Sequence, residues 1–100
     1  MTKKENKALA EKIVDKFAEY QKIQAVDDSK EYKLKEGQTI DDIVYDMVDQ
    51  HVCRVDAAGY MLVGTGSDKK AARSQVVDAL ASEMDQGNLV LSDTWAEDNL

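Results

Sequence analysis

Apolar residues near the start of the chain recur at helical spacing. Leu9, Ile13, Phe17 and Tyr20 are four, four and three residues apart, and Ile23 and Val26 continue the stripe. Glu11, Lys12, Asp15, Lys16, Glu19 and Lys22 fill the other faces. This pattern predicts one amphipathic helix over 5–26. Asp27-Asp28-Ser29 closes it as a polar loop. Residues 31–35, Glu-Tyr-Lys-Leu-Lys, alternate polar and apolar, which predicts a short strand with Tyr32 and Leu34 inward. After the turn at Glu36-Gly37-Gln38, Thr39 is placed to cap a second helix. Ile40, Ile43, Val44, Met47 and Val48 would form its buried stripe, with Asp41 and Asp42 in its first turn.

Val52, Cys53 and Val55 predict a strand. Asp56-Ala57-Ala58-Gly59 predicts a hairpin turn, and Tyr60-Met61-Leu62-Val63 a second strand. Gly64-Thr65-Gly66 breaks the run, and Ser67 or Asp68 caps a third helix. That helix carries Ala72, Val76, Leu80 and Met84 at a spacing of four, and Gly87 stops it. A last strand is expected at 88–92 and an acidic tail at 93–100. The fold class is therefore α+β. The N-terminal helix 5–26 precedes a βαββαβ order of the ferredoxin-like kind, a small antiparallel sheet with helices on one face. Residues 1–92 form one domain in this reading, and the first helix covers the sheet or pairs with a second copy.

Composition narrows the function classes. The chain has 100 residues and a net charge of −7. Residues 1–37 hold nine lysines against eight acids, and residues 38–100 hold four basic residues against twelve acids. The acidic excess is therefore confined to the second part, where it repels nucleic-acid phosphate and favours basic partners. No apolar run is long enough for a membrane helix, and the N-terminus lacks the apolar core of a secretory signal. A single cysteine excludes an internal disulfide and fits a reducing, cytoplasmic setting.

Three segments resemble parts of known families. Tyr32-Lys-Leu-Lys-Glu-Gly37-Gln-Thr39-Ile40-Asp-Asp-Ile43 resembles the opening of a LysM domain, a binder of peptidoglycan and chitin. Gly59-Tyr60-Met-Leu-Val63 resembles part of the third-strand motif of the RNA recognition motif, although Ala58, Leu62 and Thr65 replace its basic and aromatic positions. Gly64-Thr-Gly66-Ser-Asp-Lys69-Lys70-Ala71 resembles the end of a double-stranded-RNA-binding domain. In that family a Gly-x-Gly turn opens a helix whose lysines contact phosphates. The upstream part of that fold is a helix and three strands in one meander, which the helix expected at 39–50 would interrupt. No family is assigned on these segments.

The candidate chemistry is sparse. His51 and Cys53 would share a strand face, but one His and one Cys supply neither a structural zinc set nor a recognised nucleophile–base pair. No enzyme activity, metal or cofactor is expected. The start of the third helix is an anion-binding candidate, with the amides from Gly66 and Ser67 onward beside Lys69, Lys70 and Arg73. It lacks the P-loop spacing. Asp42, Asp46 and Asp49 would share one face of the 39–50 helix. Trp95 would either pack back as a lid or anchor a partner.

The sequence favours a small acidic, non-enzymatic interaction protein. It would bind a protein partner through Asp42, Asp46, Asp49 and Trp95. Phage and bacterial accessory proteins that inhibit host nucleic-acid enzymes, restriction and CRISPR nucleases among them, are similar in size and charge. The alternative is nucleic-acid or phospholigand binding through Gly66, Ser67, Lys69, Lys70 and Arg73. A third reading is a structural homodimer joined by the first helix.

Overall fold

The computed structural model describes residues 2–27 and 32–100. Helix α1 (Lys3–Phe17) leads into strand β1 (Glu19–Val26), and a long connection carries one 3₁₀ turn at Ile40–Asp42. Strands β2 (Met47–Ala57) and β3 (Tyr60–Gly66) follow, then helices α2 (Lys69–Asp85) and α3 (Asp93–Asn99). The architecture is α+β around one three-stranded antiparallel sheet in the order β1-β2-β3. The βαββαβ order is corrected to a helix, a three-stranded meander and two helices.

Four differences account for that correction. The expected helix 5–26 ends at Phe17, because Ala18 turns to extended backbone and the chain continues as β1. Tyr20, Ile23 and Val26 fitted a helical stripe by spacing, yet Tyr20 and Val26 share one sheet face and Ile23 lies on the other. The expected helix at 39–50 is replaced by the 3₁₀ turn and the start of β2, where Met47 to His51 pair with Val26 to Lys22. Cross-strand pairing overrides a weak helical period there, and Ile40 and Val44 remain exposed instead of forming a buried stripe. The expected strand at 88–92 is irregular chain, and the acidic tail is α3. Of the expected strand at 31–35, Glu31 lies outside the described residues and Tyr32–Lys35 form no strand. Asp28 and Ser29 of the expected loop also lie outside them.

Local signals explain the elements that were anticipated. Thr2 and Glu5 cap α1 reciprocally. Asp68 accepts the Ala71 N–H at 2.8 Å and starts α2. Gly87, at φ +76°, ends α2 with its N–H on the Met84 carbonyl. The β2–β3 turn is Ala58-Gly59, at φ +53° and +79°. Both signs suit the twist of a tight hairpin, but Ala58 carries a Cβ into the left-handed region.

The core lies between α1, α2 and the inward residues of β2. Ala10, Ile13 and Val14 of α1 meet Val76, Val77 and Leu80 of α2 over Cys53 and Val55. The first helix's stripe is thus inside the molecule, and it does not supply the dimer face considered above. α1 and α2 are clamped at both ends. Asn6, 5% exposed, donates its amide N–H to Asp85 at 2.7 Å, and Arg73 bonds Asp15 at 2.9 Å. Trp95 of α3 stands 6.3 Å from Phe17 between ring centroids, so it closes the open side of α1.

β3 and α2 approach without room for side chains. A Cβ on Gly64 would sit 2.5 Å from the Ala72 carbonyl oxygen, and one on Gly66 would sit 2.6 Å from the Ala71 Cβ. Gly64→Ala is expected to destabilise the fold by about 2 kcal/mol through overpacking, lowering the melting temperature by roughly 10 °C. Ala58→Asn is expected to stabilise it by up to about 1 kcal/mol. Paired thermal melts read both, and an unchanged Gly64→Ala melt would refute the close-packing argument.

Candidate functional site

The sheet register decides which side chains meet the start of α2. Tyr20, Cys53 and Gly64 are opposite one another on adjacent strands, and so are Lys22, His51 and Gly66 one step along. Opposed residues in an antiparallel sheet share a face. Cys53 is in the core, so Tyr20, Lys22 and His51 lie on the face that α2 begins to cover. The two glycines let the first turns of α2 lie against that face. A corner results, walled by the inner face of the β1–β2 ribbon and by the exposed end of α2.

The corner is basic but partly neutralised. The Lys69 ammonium lies over the Tyr20 ring, 5.2 Å from its centroid, a cation–π contact. Arg73 gives both Nε and a terminal nitrogen to one Asp15 oxygen, at 3.0 and 2.9 Å. Lys22 bonds Asp49 at 3.0 Å. These pairs are well solvated, and each contributes little to stability. Among the described residues, neither Lys69 nor Lys70 has an ion-pair partner. Both lie on the first turn of a seventeen-residue helix, where backbone N–H groups and the helix dipole favour an anion. Asp68 already takes the Ala71 N–H.

The anion-binding residues expected from sequence are therefore brought together. Gly66, Ser67, Lys69, Lys70 and Arg73 form one continuous turn and helix start. The sequence did not reveal Tyr20, Lys22 or Asp15 as members. Their contribution depends on β1 being a strand, and its residues are almost all exposed, so no alternation of polarity marked it.

The acidic cluster is a correction. Asp42, Asp46 and Asp49 do not share a helix face. Asp42 lies in the 3₁₀ turn and accepts the Thr39 N–H at 2.8 Å. Asp46 lies in the connection, its carbonyl accepting the Asp27 N–H. Asp49 is in β2, with Lys22. Trp95 acts as a half-buried lid on Phe17. His51 and Cys53 do share a face, as expected. Among the described residues no group of three metal-ligating side chains forms, and no helix is long and apolar enough to cross a membrane.

No protein-family model matches the chain, and none of the curated proteins or solved structures compared with it matches significantly.

Cys53 is fully buried beneath Tyr20. Burial pushes its thiol above the ordinary cysteine range, while the Tyr20 hydroxyl and Arg73 pull it partly back. Burial, then the neighbouring Cys53, raises Tyr20 as well. A raised folded-state pKa means that the unfolded chain ionises first, so stability falls as pH climbs past the ordinary thiol value. Urea midpoints from about pH 7 to about pH 10 are expected to decline. Cys53→Ala should flatten that decline, and an equally steep decline in the variant would refute the assignment.

Proposed function

We propose that this chain is a duplex-RNA-binding module that holds phosphate with Lys69 and Lys70 at the start of α2. The observation that carries the reading is the close approach at Gly64 and Gly66, which seats β3 on the first turns of α2, where Lys69 rests over the Tyr20 ring and neither lysine has an ion-pair partner among the described residues. The order of helix, three-stranded meander and helix supports it too. That order is the one the Gly64–Ala71 resemblance to double-stranded-RNA-binding domains requires, and the helix that argued against it is absent. Such domains read the shape of an A-form duplex and its phosphates rather than its sequence.

The net charge of −7 works against this activity at long range. At physiological salt, screening acts over about 8 Å, so a local pair of lysines outweighs acids farther away. Arg73 adds less than its charge suggests, because Asp15 already occupies it.

The test is fluorescence anisotropy with a perfect RNA duplex and a DNA duplex of the same sequence, across a salt series. The RNA duplex is expected to bind more tightly. Lys69→Ala with Lys70→Ala should weaken binding at least about tenfold and reduce the salt slope by about 2. Absence of binding by the unaltered chain, or binding indifferent to the double substitution, would sink the reading.

A second reading keeps the protein-partner idea, and one observation favours it. Ile40 and Val44 are 61% and 91% exposed beside Asp41 and Asp42. That combination suits a basic protein surface with an apolar centre, such as the cleft of a nucleic-acid-handling enzyme. Under it, Val44→Ser abolishes complex formation and the lysine substitutions leave it intact.

A further inference from the structure

We infer that the cavity between the start of α1 and the end of α2 binds a free α-amino acid with a branched aliphatic side chain. The inference stands independently of nucleic-acid binding, because the cavity lies at the opposite end of α2 from Lys69 and Lys70. Its volume is about 320 Å³. Ligand cavities run from ~300 to ~1,000 Å³, so this one is sized for a small molecule.

The polar side of the cavity is a buried amide beside a carboxylate. Asn6 is 5% exposed and lines the cavity. Its Nδ2 donates to Asp85 Oδ1 at 2.7 Å. Among the described residues nothing donates to Asn6 Oδ1, and that oxygen is not sealed in the interior, since the enclosed side-chain atom without a partner is the Tyr32 hydroxyl. The cavity is where Asn6 meets solvent. Asp85 also lines it, and its Oδ2 has no hydrogen-bond or ion-pair partner among the described residues. Two neighbouring acceptors, one of them charged, suit an ammonium group, which brings three donors and a positive charge.

The remaining lining selects the rest of the ligand. Lys3 borders the cavity and has no ion-pair partner among the described residues, so it suits a carboxylate. Leu9, Met84, Leu89 and Leu91 make the apolar wall. That wall is held in place without a ligand. The Leu89 N–H donates to the Glu83 carbonyl at 3.2 Å, and the Tyr60 hydroxyl donates to the Asn88 carbonyl at 2.7 Å. A preformed wall lowers the ordering cost of binding. A purely apolar occupant would cover Asn6 Oδ1 and the Asp85 carboxylate without giving them a donor, which is costly. A simple amine leaves Lys3 unmatched, and a simple anion meets Asp85. A zwitterion on an aliphatic body satisfies all three walls.

NMR titration of the full chain with L-leucine tests the inference. Saturable binding with a Kd at or below about 1 mM is expected, with shifts centred on the Asn6 side-chain amide and the Leu9, Leu89 and Leu91 methyls. N-acetyl-leucine, which lacks the ammonium, should not bind. Leucinamide stands in for a peptide N-terminus and should bind at least about fivefold more weakly, having no carboxylate for Lys3. Lys3→Ala should weaken L-leucine by a similar factor and leave leucinamide unchanged. Lys3 is exposed, so the fold should not respond to its loss. No shifts with L-leucine up to about 10 mM, or N-acetyl-leucine binding as tightly as L-leucine, would overturn the inference. Leucinamide binding as tightly as L-leucine would overturn the assignment to a free amino acid in favour of a peptide N-terminus.

Discussion

The contact on which the other features depend is the backbone approach between the end of β3 and the first turns of α2. A helix over a sheet is ordinarily held off by side chains on both surfaces. At Gly64 and Gly66 the sheet has no side chains, and the helix comes down until backbone meets backbone. Ala71 and Ala72 answer from the helix side with the smallest side chain that still favours a helix. This seating fixes where α2 begins, and so where Lys69, Lys70 and Arg73 emerge. It also brings Gln75 within reach of the Thr65 N–H.

Charge is arranged around that contact rather than spread evenly. The corner beside α2 gathers Lys69, Lys70 and Arg73, with Asp15 holding Arg73, while Lys22 on the same sheet face is held by Asp49. The acids of the second part of the chain are distributed over the 3₁₀ turn, the connection, β2, α2 and α3. A net charge of −7 is therefore compatible with a local basic surface. The distinction matters because binding responds to the local potential within a screening length, whereas solubility responds to the total.

Parts of this arrangement were legible in the chain itself. The α2 stripe from Ala72 to Met84 has a clean period of four, a carboxylate cap at Asp68 and a glycine stop at Gly87, and it formed within a residue or two of expectation. The Ala58-Gly59 turn and the inward Cys53 and Val55 were likewise local signals. The candidate anion-binding residues could be grouped from the sequence because they are contiguous. Residues 19–26 misled because their few apolar positions satisfy a period of 3.6 as well as a strand, and residues 39–50 because Ile40, Ile43, Val44, Met47 and Val48 have helical spacing although the last residues of the segment pair with β1. Neither segment buries enough apolar surface on its own to decide between the two.

By itself, then, the sequence determined the local elements whose signals are short-range: the α2 helix with its cap and stop, the tight turn and the turn–helix start with its lysines. It also determined that charge is unequal between the two parts. Only the tertiary structure decided that β1 and the first residues of β2 are strands, since each is the other's hydrogen-bonding partner across more than twenty residues of chain. It alone placed Tyr20 beside Lys69 of α2, dispersed Asp42, Asp46 and Asp49, and set Trp95 on Phe17. The physical reason is the same in each case. A helix satisfies its backbone within one segment and can be read there, whereas a strand satisfies its backbone on a distant neighbour, so its identity belongs to the pair.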